Sequence, residues 1–99
     1  MSAQNVATKA YEEKISARLQ QANAQLGEVE ASAKGKMAQA EIDTINRLKA
    51  KHQEIDKKRQ DLKTVGDAKV EQVKAEIDAD VSKLKSSLSD LAMKLKKAG

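Results

Sequence analysis

Large apolar residues recur at intervals of three and four along most of this chain. Near the C-terminus Val70, Val73, Ile77, Val81, Leu84, Leu88, Leu91 and Leu95 fall on one line of a helix, within an arc of roughly 80° at about 100° per residue. Tyr11, Ile15, Leu19, Ala22, Leu26, Val29 and Ala33 form a second line of about the same width. A globular helix usually buries a broader face, so stripes this narrow predict the seams of a coiled coil or a slim helical bundle. Between them the line thins to Met37, Thr44, Leu48, Ile55 and Leu62, broadened near its start by Ile42 and Ile45. From Lys49 to Asp61 only Ala50 and Ile55 are apolar, and this stretch is expected to be the loosest part of the fold.

Helix breakers are scarce, so each one carries weight. Thr64, Val65, Gly66 and Asp67 are four poor helix formers in a row. Gly66 suits the left-handed position after a helix end, and Asp67 suits the cap of the next helix. Gly35 is a weaker break among good helix formers, and Gly27 reads as tolerated within a helix. Breaks at 35 and 66 predict helices over about 3–33, 37–64 and 67–97. Equal lengths and tight connections then give one all-α domain over 1–99, a slim antiparallel three-helix bundle running up, down and up. One alternative competes with it. Leu62, Gly66, Val70 and Val73 are in phase, so a continuous helix from 37 to 97 would make a long helical hairpin or an extended, oligomerising coiled coil, with Gly66 facing a close neighbour.

Composition narrows the class without supplying an activity. The 99 residues include no Pro, Cys, Phe or Trp and a single Tyr, with 39% hydrophobic and 34% charged residues. Strong helix formers dominate, and strand-favouring residues are too few for a sheet. No segment approaches the ~18 apolar residues of a membrane span. Residues 1–14 lack the apolar run of a signal peptide, which makes the cytoplasm the default expectation. The apolar content is thin for a monomer core, so a second copy or another helical protein is the expected partner.

The formal net charge is +4, an excess that comes mainly from the middle third of the chain. Acid-first pairs at i, i+4 (Glu30 with Lys34, Asp43 with Arg47, Glu54 with Lys58, Asp90 with Lys94) are expected to support exposed helix. The densest basic cluster is Lys57, Lys58 and Arg59 with Lys63. Adjacent helical residues point about 100° apart, so this reads as a solvated face before it reads as a phosphate site. Lys94, Lys96 and Lys97 fall where a helix C-terminus attracts cations; a basic contact site is the second reading. Duplex binding by scattered lysines stays open, whereas single-strand stacking is disfavoured by the lone Tyr11.

Chemistry-bearing constellations are few. His52, between Leu48 and Ile55 at helical spacing, could offer two metal ligands with Asp56, too few for a protein site. A Ser-His-Asp set exists only on paper, because slim bundles offer few pockets to organise one. No Gly-rich phosphate loop and no paired carboxylates in an apolar setting appear. Neither a catalytic residue, nor a cofactor or metal site, nor a small-molecule substrate is therefore expected.

The near-3.67 spacing of residues 11–33 is loosely similar to the 11-residue rhythm of exchangeable apolipoproteins, phasins and desiccation-related helical proteins. That resemblance covers about a quarter of the chain and implies reversible binding to a lipid surface. The arcs are narrow for a lipid-facing helix. The leading expectation is a structural or interaction module that packs helix on helix and self-associates without catalysis. Lipid-surface binding and a basic architectural role on nucleic acid are the alternatives.

Overall fold

The computed structural model describes residues 3–98, with side chains from 8 to 66 and from 68 to 97. Three helices account for nearly all of it: α1 (Ala3–Gly35), α2 (Gln39–Asp61) and α3 (Asp67–Ala98). No strand occurs among the described residues. Each helix packs against both others, giving a rod of 53 × 17 × 15 Å. That length is what a helix of 33 residues spans at about 1.5 Å per residue.

Cross-helix contacts set the topology. α1 meets α2 in descending order, with Ala38 N–H on the Ala33 carbonyl and His52 on the Leu19 carbonyl, so the two are antiparallel. α1 meets α3 in ascending order, Tyr11 reaching Lys74 and Lys36 reaching Leu95, so these two run parallel. The chain therefore runs up, down and up, as its three stripes and two breaks predict.

The core is made of those stripes. In α1 the buried line is Glu12, Ile15, Leu19, Ala22, Leu26, Val29 and Ala33, alternating steps of three and four. In α3 it is Val70, Ile77, Val81, Leu84, Leu88, Leu91 and Leu95. Val73 and Leu48, expected in the seam, are half-buried against it, as is Tyr11. α2 contributes Ile45 and Ile55, and Leu62 just beyond its end. Ile45, expected only to broaden the line, is its centre, while Thr44 is half-buried and Met37 is 88% exposed.

The first turn explains Met37. α1 continues through Gly35 and closes in a paired-bond cap: Ala38 N–H reaches the Ala33 carbonyl at 2.9 Å and Met37 N–H reaches the Lys34 carbonyl at 3.2 Å. Those are the two bonds of a Schellman ending, with Met37 in the left-handed position at φ 55° and Ala38 packed on the core behind it. A left-handed residue cannot continue the helical line, so its side chain leaves the seam. The left-handed residue is thus not a glycine; no described glycine has positive φ.

The second turn begins earlier on the α2 side than predicted, α2 ending at Asp61 instead of near residue 64. After Asp61 the backbone tightens: Leu62, Lys63 and Thr64 N–H groups reach carbonyls three residues back at 3.3, 3.3 and 2.9 Å, and the Thr64 hydroxyl also donates to Asp61. β-Branched Thr64 and Val65, followed by Gly66, give the helix nothing to continue with. A continuous helix from 37 to 97 is excluded by this reversal. Nor does Gly66 face a close neighbour: a Cβ built there would meet nothing within 4 Å. The side chain of Asp67, expected to cap α3, lies outside the described residues.

Candidate functional site

α2 has the fewest apolar residues, and polar contacts hold it between its neighbours. Lys49 donates to Glu30 on α1. Asp80 on α3, whose side chain is 14% exposed, lies between Lys58 at 2.8 Å and Lys51 at 3.4 Å. The hydrogen bond from Lys58 is the main reason that the Asp80 carboxyl is held below its ordinary value and the Lys58 ammonium above its own. Glu30 is likewise held low, chiefly by its bond from Lys49.

These contacts replace several of the expected local pairs. Lys58 turns to Asp80 and Glu54 to Lys51, so Glu54 and Lys58 do not meet. Glu30 keeps Lys34 at 4.0 Å but is bonded to Lys49. Asp43 accepts from the Gln39 amide, and neither Asp43–Arg47 nor Asp90–Lys94 forms an ion pair among the described residues.

A groove of about 480 Å³ runs between α1 and α2, open along one side. Ser16, Gln20 and Asn23 line it from α1, and His52, Gln53 and Lys57 from α2. His52 is half-buried at its floor and shares a hydrogen bond of 2.9 Å between its Nε2 and the Leu19 carbonyl. Since a carbonyl can only accept, Nε2 carries the proton. Ser16, His52 and Asp56 all border this groove, yet they do not form a relay. The His52 Nε2–H is used by a backbone carbonyl, and both Asp56 oxygens accept from Arg59 and Gln60. That engagement also takes Asp56 away from the two-ligand pairing with His52, and no group of three or more metal-binding side chains gathers among the described residues.

The basic residues separate into two kinds. Lys58 and Arg59 are committed to Asp80 and Asp56, the latter through a guanidinium–carboxylate contact of 2.9 Å. Lys57 and Lys63 remain exposed, as do Lys94, Lys96 and Lys97 at the end of α3. The densest cluster in the sequence is therefore half neutralised in the fold.

At the other end of the bundle Tyr11 joins α1 to α3. Its hydroxyl contacts the Lys74 carbonyl at 2.9 Å and the Asp78 carboxylate at 2.7 Å, and the Lys74 ammonium stands 5.2 Å from the ring centre. Burial, then the bond to Asp78, pushes the phenol well above its ordinary range.

Glu12 was not anticipated by the apolar pattern. It is 8% exposed, and its Oε1 has no hydrogen-bond partner. The signal was there in the spacing: Glu12 precedes Leu19, Leu26 and Ala33 by whole sevens, and Tyr11 drew attention as the nearer apolar residue.

No known protein family, curated protein or solved structure matches this chain. No helix among the described residues is long and apolar enough to cross a membrane.

Proposed function

We propose that this chain is a non-catalytic helical interaction module that joins another helical chain through coiled-coil-type packing, most simply a second copy of itself. The observation that supports this is the amide-lined groove along one long side of the rod. The apolar stripes are used inside the bundle, so a partner helix would meet Gln20, Asn23, Gln53 and half-buried His52 instead of a hydrophobic seam. Polar side chains at helix–helix contacts fix register and partner at some cost in stability. A long side of about 53 by 17 Å offers roughly the ~800 Å² per partner that a standard stable interface buries. Lipid binding by the apolar stripes would require the bundle to open first, which the closed seams oppose.

The test is sedimentation equilibrium over a hundredfold range of concentration. The expected result is a rising average mass at the upper end, abolished in a double variant Asn23→Lys, Gln53→Lys that places like charges in the groove. A mass of one chain throughout, with no helical protein crosslinked to the groove in cells, would refute the reading.

A further inference from the structure

One end of the rod gathers charges that lie far apart in sequence. Because α1 and α3 run parallel, their last turns finish side by side, and the Lys36 ammonium donates to the Leu95 carbonyl across the gap. Residues 31–40 and 91–98 therefore make one tip. It holds Lys34, Lys36, Lys94, Lys96 and Lys97; the acids at its margin are Glu30, which is bonded to Lys49, Glu41 and Asp90, so the lysines outnumber them. α2 begins at the same end with Ala38 at its cap position and no side-chain cap bond.

Each lysine group, taken singly, has a local explanation, since cations offset the negative end of a helix dipole. Two methionines stand among them: the left-handed turn carries Met37 out of the seam, and Met93 lies on the exposed side of α3. Met37 is 88% exposed and Met93 56%, and they are the exposed large hydrophobic side chains of the described chain. Met37 stands on the turn at the tip in its left-handed conformation. Met93 lies one turn back on α3, with Lys96 and Lys97 three and four residues on. Among the described residues no ion pair neutralises Lys94, Lys96 or Lys97, and Lys34 has only the distant Glu30, at 4.0 Å.

We propose that this tip docks end-on against an anionic lipid surface, with the lysines at the headgroups and Met37 entering the interface. The charge is complementary, since anionic leaflets attract clustered lysines near the surface. A flexible, unbranched methionine can enter a lipid interface without a shaped pocket. Nucleic-acid phosphates would attract the same lysines but gain little from projecting methionines, and this favours lipid. The bundle stays closed in this contact and the α1–α2 groove stays free, so the proposal does not rest on the helix-joining reading.

The test is cosedimentation of the full chain with vesicles of phosphatidylcholine and phosphatidylserine, against phosphatidylcholine alone, at low and at physiological salt. Binding is expected on the anionic vesicles only and should weaken as salt rises. A triple variant Lys94→Gln, Lys96→Gln, Lys97→Gln should weaken it about a hundredfold. Met37→Gly should weaken it severalfold while the thermal midpoint does not fall, which separates lost contact from lost fold. Lys57→Gln with Lys63→Gln, far from the tip, should leave binding unchanged, and helicity should not change on adding vesicles. Failure to bind anionic vesicles at low salt would overturn the proposal, as would equal binding by the triple variant or by Met37→Gly. Vesicle-induced loss of the bundle's tertiary signal would overturn it too, in favour of side-on binding by opened helices. Salt-sensitive duplex DNA binding that needs the same lysines, with no vesicle binding, would assign the tip to nucleic acid.

Discussion

Replacing Met37 with glycine should make this protein more stable. Met37 holds φ 55° so that the amides of residues 37 and 38 can close the end of α1. An L-residue in that conformation costs about 1–2 kcal/mol, because Cβ crowds the following carbonyl oxygen. Glycine has no Cβ and removes that cost, but its greater freedom in the unfolded chain returns about 0.5–1 kcal/mol. With the side chain 88% exposed, little burial is lost. The net expectation is a gain of about 0.5–1 kcal/mol, or a rise in Tm of several degrees for a domain this small. Thermal unfolding followed by circular dichroism measures it directly. Met37→Ala is the control that isolates the backbone: it removes the same exposed side chain and keeps the strained φ, so its Tm should stay near that of the parent. If the glycine variant melts no higher than the alanine variant, the left-handed cap is not where this turn stores strain.

Three further outcomes follow from the packing. Leu88→Ala should cost about 2–5 kcal/mol, because Leu88 is fully buried and its removal leaves a cavity; Met93→Ala should cost under about 0.5 kcal/mol, as exposed substitutions do. Equal losses in denaturant melts would mean that the seam is misdrawn. Glu12→Leu should stabilise the chain by about 1–3 kcal/mol, since it replaces a buried carboxylate bearing an unpartnered oxygen with an apolar side chain of similar size, and chemical denaturation would show the reverse if that oxygen has an essential partner. Stability should also fall at both pH extremes. The depressed Asp80 contributes above its unfolded value of 3.8, and that contribution is lost as pH falls through its lower folded value. The raised Tyr11 contributes fully below its unfolded value of 10.0, and that contribution is lost as pH rises towards its folded value. Tyr11 is the chain's one aromatic residue, so near-ultraviolet absorbance reads its titration alone; ionisation of the folded protein at the ordinary tyrosine pH would contradict the half-buried phenol and its bond to Asp78.

The sequence by itself determined the helices, their number and most of the core. Heptad-like spacing of Leu, Ile, Val and Ala decides which side of each helix must leave water, and burial of an apolar side chain depends little on which partner covers it. So Leu19, Leu26, Ile77, Leu84 and Leu88 could be placed in the seam before any partner was known. The poor helix formers at 64–67 fixed the second turn for an equally local reason. Tertiary structure decided the rest. Polar groups are directional, and their partners depend on which helices become neighbours. That is why Lys58 chose Asp80 over Glu54 one turn away, why His52 found the Leu19 carbonyl, and why Tyr11 joined α3. It also decided Met37: an apolar residue in phase with α2 was moved out of the core because the chain needed a left-handed residue there to turn. The lysine tip belongs to the same class, because only the parallel course of α1 and α3 brings Lys34 and Lys36 beside Lys94, Lys96 and Lys97.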